Sequence, residues 1–137
     1  MTPQELSESQ IKIGTCGYSY PGPLPKGWYG VFYPPTKRRG FDELEYYARF
    51  FDTVEVNSTF YRPPAPGMSS AWAAKTPQHF TFAVKAWQKF THFNRLGADA
   101  GTEEAWRPPE ESDVEAFKSG IVPLQRAGKL GVLLFQY

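Results

Sequence analysis

A carboxylate, a carboxamide and two hydroxyls, Glu55, Asn57, Ser58 and Thr59, fall within the segment TVEVNSTF at 53–60. Side chains of a strand alternate between its faces, so Val54 and Val56 share one face while Glu55, Asn57 and Thr59 take the other. A carboxylate in that setting can act as a general base or bind a metal, and its amide and hydroxyl neighbours can orient a ligand through hydrogen bonds. A second segment, FTFAVK, repeats the pattern: Phe82 and Val84 face one way, and Lys85 ends the polar side. Lys85 would attract a phosphate or carboxylate group. It could equally pair with Glu55 in a purely structural ion pair, just as Ser58 and Thr59 could simply cap the next segment. In LGVLLFQY, Val132, Leu134 and Gln136 share a face, so Gln136 is the corresponding polar strand end. The aromatics Tyr18, Tyr20, Trp28, Tyr61 and Trp87 could wall a pocket or pin long loops to its rim.

These groups need a scaffold that brings strand ends together. IKIGTC at 11–16 reads as a first strand. Leu44, Tyr47, Ala48 and Phe51 then form one apolar helical stripe, and a short helix is expected around 68–75, ended by Pro77. Ser112 and Glu115 have capping-box spacing for a helix carrying Val114, Phe117, Ile121 and Leu124, with Pro123 expected to kink it and Gly128 to close it. Strands at 53–60, 80–85 and 130–137 alternate with these helices. The β-α-β-α-β-α-β order implies an α/β fold with a parallel sheet. Helix-to-strand loops are short and two strand-to-helix loops are long. The long loops lie at the face where ligands bind in parallel α/β folds, the face to which the polar strand ends point.

Composition narrows the function classes. The chain has 137 residues, 41% hydrophobic and 21% charged, as expected of a single domain or part of one, and 12 Gly with 13 Pro imply punctuated loops. A net charge of +1 disfavours a strongly basic nucleic-acid surface; Lys37 to Arg39 is the only basic cluster. One cysteine, Cys16, excludes an intrachain disulfide framework, and without an adjacent base in sequence it is a poor nucleophile candidate. Residues 1–10 form a polar leader with no secretory pattern, no apolar run is long enough to span a membrane, and a cytoplasmic location is the default expectation. No motif points to a metal, and the cofactor, if any, stays unknown.

IGTCGYSY, WYGVFYPP, TVEVNSTFYRPP, FAVK, the Thr91-His92 step and LGVLLFQ, in that order, resemble the YecE-like family, also called domain of unknown function 72. The resemblance runs from Ile11 to the last residue. Members look like (β/α)8 barrels related to the TIM barrel, and no biochemical activity is established for them. The resemblance implies that residues 11–137 form the first half of such a barrel, about four strands, with Glu55 and Asn57 projecting into its mouth. His92 matches the family's Thr-His step and becomes a candidate acid-base or anion-binding group. Because the family's sequence continues beyond this point, the expectation is a chain truncated after its fourth strand. A copy that self-associates through its open sheet edges is the alternative.

The leading functional expectation is binding of, or action on, a small anionic or polyhydroxylated molecule. Glu55, Lys85 and His92 are the candidate catalytic groups; Asn57, Ser58, Thr59, Tyr61, Tyr18 and Gln136 are the candidate ligand-binding residues. A nucleic-acid module built on the aromatic and basic loop 28–39 and an inactive fragment are the alternatives. If the faces of 53–60 are assigned correctly, Val56→Lys lowers the denaturant midpoint far more than Asn57→Ala. Equal losses would reverse the assignment.

Overall fold

The computed structural model describes residues 11–92 and 108–137; the polar leader 1–10 and most of the second long irregular stretch lie outside the described residues. Among the described residues, four strands, β1 (Gly14–Cys16), β2 (Thr53–Val56), β3 (Thr81–Lys85) and β4 (Leu130–Leu134), pair in the order β1-β2-β3-β4, each parallel to the next. The described helices between them are α1 (Glu43–Tyr47), α2 (Ser58–Tyr61), α3 (Pro66–Ala74) and α4 (Glu111–Arg126). A 3-10 turn spans Gln88–Phe90.

The alternation read from sequence decides which face is covered. Val54, Val56, Phe82 and Val84 are buried beneath the helices with Leu44, Tyr47, Trp72, Phe80, Phe117, Ile121 and Leu124. Parallel register sets Val54 against Phe82 and Val56 against Val84, so these side chains form one apolar layer. The intervening residues must take the other face. Between β3 and β4 the register slips: Leu130 pairs with Phe82 but Val132 pairs with Ala83, leaving Gly131 as the extra residue. The bulge keeps Val132 and Leu134 level with Ala83 and Lys85. On β4 and beyond, Val132, Leu133, Leu134 and Phe135 are substantially exposed.

Each helix has a local cause. Asp42 caps α1, accepting from the amides of Leu44 at 2.9 Å and Glu45 at 3.1 Å. α3 begins with Pro66, and its far end is met by two lysines. Buried Lys129 donates from Nζ to the carbonyls of Ala73 and Thr76, both at 2.6 Å, which satisfies orphan acceptors and places a cation at the negative end of the helix. Lys75 reaches Asp42 Oδ2 at 2.5 Å and so ties the end of α3 to the start of α1. At α4 the carbonyl of Pro64 lies 2.2 Å from where a Cβ on Gly120 would stand, so only glycine permits that approach.

Several boundaries differ from the sequence reading. β1 is shorter than 11–16 and β4 shorter than 130–137. α4 starts before Ser112: Glu110 is its N-cap, with its amide donating to Asp113 Oδ2 at 2.9 Å, so the Ser112–Glu115 box is not the cap. Pro123 lies within α4, which runs on to Arg126; Gly128 does close it, at φ +67°. The turn expected after β2 contains α2. The loop after β1 is held by packed rings: Trp28 lies against Tyr20 at 4.6 Å, and Phe32 stacks edge-on to Tyr33 at 4.8 Å and to Tyr47 at 6.2 Å. Among the described residues, no helix is long and apolar enough to cross a membrane.

Asp42 yields a pH prediction. Burial raises its pKa, but the Lys75 ammonium and the two amides outweigh this and hold the carboxyl below its ordinary value. The folded state then binds that proton more weakly than the unfolded chain, so the contribution is complete above the unfolded aspartate pKa of about 3.9 and is lost as pH falls through the lower folded value. Unfolding free energy measured in urea should decline through that acidic window. Asp42→Asn should flatten the decline; an unchanged pH profile would show that Asp42 is not linked to folding.

Candidate functional site

The ends of three adjacent strands bring four groups together. Cys16 of β1 registers with Glu55 of β2, Glu55 with Ala83 of β3, and Lys85 closes β3 two residues beyond Ala83 on the same face. Lys85 Nζ stands 3.1 Å from Glu55 Oε1. Cys16 Sγ donates to the same oxygen at 3.3 Å, and Asn57 Nδ2 donates to Cys16 Sγ at 2.9 Å. One carboxylate oxygen thus receives a cation and a thiol, while the thiol receives an amide. The Glu55 and Lys85 side chains retain 26% and 19% of their exposure, so solvent and small molecules reach a pair that is only partly screened.

The backbone sets this geometry. Gly17, at φ +85°, turns the chain as β1 ends, and its amide donates to the Glu55 carbonyl at 2.9 Å. Tyr20 donates its hydroxyl to the Cys16 carbonyl. Asn57 occupies the N-cap position of α2 in helical backbone geometry, so its side chain leaves the strand alternation and reaches across to Cys16. Its Oδ1 is buried and has no hydrogen-bond partner among the described residues.

Beside this cluster lies an open cleft of about 520 Å³, lined by Gly17, Tyr18, Ser19, Tyr20, Glu55, Val56, Asn57, Ser58, Met68 and Trp72. Glu55 and Asn57 belong to both: they edge the cleft and touch Lys85 or Cys16. Burial raises the pKa of the Tyr18 hydroxyl, which keeps it protonated and able to donate.

The expected residues divide into three groups. Glu55, Lys85, Asn57, Ser58 and Tyr18 gather at the cluster or the cleft. Thr59 does not share the Glu55 face as read from alternation, because β2 ends at Val56 and α2 begins at Ser58. Thr59 is 1% exposed, and its hydroxyl lies 2.9 Å from the Val56 carbonyl and 2.7 Å from the Lys85 carbonyl, where it joins β2 to β3. Tyr61, His92 and Gln136 stand apart from the cluster. Tyr61 is 68% exposed and stacks edge-on to Phe60. The His92 ring lies against Phe60 at 5.5 Å, with Nδ1 2.7 Å from the Thr91 hydroxyl. Gln136 is exposed beyond β4. In loop 28–39, Trp28 and Phe32 pack against the core, Trp28 also lies against Tyr33 at 6.0 Å, and Lys37 is 3.9 Å from Glu43.

Cys16 is the residue that sequence reasoning set aside. No base adjoins it along the chain; Glu55 arrives from the neighbouring strand. Pairing the ends of two parallel strands in register is the only signal that could have found it. Among the described residues, no three His, Cys, Asp or Glu side chains converge as a metal site would require.

A parallel β/α sheet with polar groups converging where its strands end defines the class: the fold resembles the first half of a TIM-type barrel, with the candidate site at the mouth. The chain belongs to the family described as protein of unknown function DUF72, whose model matches residues 12–137. It is 31% identical over 113 residues to UPF0759 protein YunF of Bacillus subtilis (strain 168), covering 81% of this chain and 37% of that protein. It is 40% identical over 53 residues to UPF0759 protein YecE of Escherichia coli (strain K12), covering 39% of this chain and 20% of YecE. A DUF72 family protein from Enterococcus faecalis V583 has a crystal structure similar in fold, with a TM-score of 0.60 at 22% identity over 88% of this chain and 37% of the other. The chain therefore spans well under half the length of these relatives.

The Thr59 geometry makes a prediction distinct from ligand binding. Thr59→Val removes a buried hydroxyl that bonds two carbonyls and should cost about 1 to 2 kcal/mol of unfolding free energy. Ser58→Ala, on the exposed neighbour, should change it by less than about 0.5 kcal/mol. Equal effects in denaturant titration would remove Thr59 from the strand junction.

Proposed function

We propose that the chain contributes the strand-end site of a TIM-type barrel protein that binds a small polar molecule, with a polyhydroxylated ligand favoured over a simple anion. The observation that carries this reading is the Glu55–Lys85 pair, 3.1 Å apart at the ends of adjacent parallel strands, with Glu55 bordering the cleft. A lysine already neutralised by a carboxylate offers a bare anion little: the anion would have to displace Glu55, leaving one negative charge unpaired. A hydroxyl-rich molecule has no such conflict. It can donate to Glu55, accept from Lys85 and bond Asn57 without separating the pair. Tyr18 and Trp72 supply an apolar wall against which the carbon face of such a ligand packs. Activity, substrate and partners of a complete barrel belong to the same proposal, because the chain covers 37% of its YunF relative.

Thermal shift against sugars, polyols, sugar phosphates and simple carboxylates tests the reading. A ligand that binds only the folded state raises the melting temperature in proportion to the logarithm of its concentration above Kd. Hydroxyl-rich compounds should produce the rise, and Glu55→Ala and Lys85→Ala should each abolish it. Undiminished shifts in both variants, or shifts confined to simple anions, would overturn the proposal.

A further inference from the structure

The cluster holds more than a binding site requires. Recognition of hydroxyls needs the carboxylate, the ammonium and the amide, yet the carboxylate oxygen nearest Lys85 also accepts a thiol proton. Nucleophile activation follows a general pattern: a nucleophile within hydrogen-bond reach of a base, and the base held by a third group. Here those parts come from three successive strands. Cys16 on β1 is the nucleophile, Glu55 on β2 the base, and Lys85 on β3 the holder of that base. Asn57 donates to the sulfur, which favours negative charge there, and Cys16 is exposed to an incoming electrophile. The single oxygen of the Asn57 side chain, Oδ1, is buried with no hydrogen-bond partner among the described residues, and Asn57 itself lines the cleft.

We infer that Cys16, Glu55 and Lys85 form an acyl-transfer site that hydrolyses a small carboxamide or ester through a thioester on Cys16. The inference rests on the binding reading, since the same cleft must hold the substrate. Sulfur attacks the acyl carbon as the thiol proton passes to Glu55, forming the carbon–sulfur bond. The Lys85 ammonium, already beside the reacting carboxylate, stabilises the oxyanion of the tetrahedral intermediate. Collapse breaks the bond to nitrogen or oxygen, and Glu55 returns the proton to that leaving group. Water then attacks the thioester with Glu55 again accepting a proton; the carbon–sulfur bond breaks and the proton goes back to sulfur. The net change is amide or ester plus water to acid plus amine or alcohol, with no redox partner. The proton moves to Glu55 together with attack, as general-base catalysis requires.

The test uses the 137-residue chain with p-nitrophenyl acetate as probe. Rapid mixing should show a nitrophenolate burst of one equivalent per chain, followed by steady turnover, and mass spectrometry of the quenched protein should place the acetyl group on Cys16. Cys16→Ser should abolish the burst. Glu55→Gln should slow acylation by about 100-fold or more, within the usual range for loss of a general base. The unmodified chain gives a second readout that needs no folded variant. Acylation assisted by a resident base should vary little between about pH 6 and about pH 8, whereas attack by a free thiolate rises roughly tenfold per pH unit there. Acylation no faster than that of N-acetylcysteine, a thiolate-type pH profile, or an acetyl adduct that never turns over would each overturn the inference. If polyhydroxylated ligands still give shifts that depend on Glu55 and Lys85, the binding reading survives such a failure; if those shifts are absent too, both fall.

Discussion

Alternation held in register across parallel strands is the constraint on which this structure depends. Val54, Val56, Phe82 and Val84 go beneath the helices because that face can be covered, and register places them at matching heights. Once they are fixed, Cys16, Glu55 and Lys85 have no choice of side. A one-residue slip in any strand would send its apolar residues into the open and its polar residue into the core. The convergence of thiol, carboxylate and ammonium is thus a consequence of packing on the opposite face. The bulge at Gly131 serves the same end, restoring Leu134 to the level of Lys85 after the register shifts.

Around this sheet, charged and polar side chains act mainly as ties between elements. Lys129 joins β4 to the end of α3, the Asp42–Lys75 pair joins α3 to α1, and the Thr59 hydroxyl joins β2 to β3. The Lys129 and Thr59 bonds satisfy backbone carbonyls that would otherwise be buried unpaired, at considerable cost, whereas the Asp42–Lys75 pair is itself partly exposed. The Glu55 group differs. It borders the cleft at the strand ends, and its partners include a reactive atom.

What was legible in the sequence follows from the range of each signal. Period-two alternation gave the strands, their order gave the parallel sheet, and motif order gave the family; all three are local or sequential. The face of Glu55 and Lys85 was readable for the same reason. Thr59 was misplaced because alternation stops when backbone geometry changes, and Asn57 already adopts the helical geometry that starts α2. The start of α4 moved because Glu110 with Asp113 competes with Ser112 for the cap, and Pro123 fits within the helix, where its ring does not end the run. Cys16 was discounted because its base lies 39 residues away, a relation visible only once β1 and β2 are paired.

Contact between Glu55 and Lys85 is the claim beneath every functional step, and zero-length carbodiimide coupling measures it most directly. The reagent joins a carboxylate to an amine only when the two already touch, and peptide mapping identifies the pair. The exposed Lys118–Glu115 bridge, at 2.6 Å on α4, supplies an internal control. The structure predicts an amide link between the Glu55 and Lys85 peptides alongside the control link. Coupling of Lys118 to Glu115 without any product joining Glu55 to Lys85 would contradict the account.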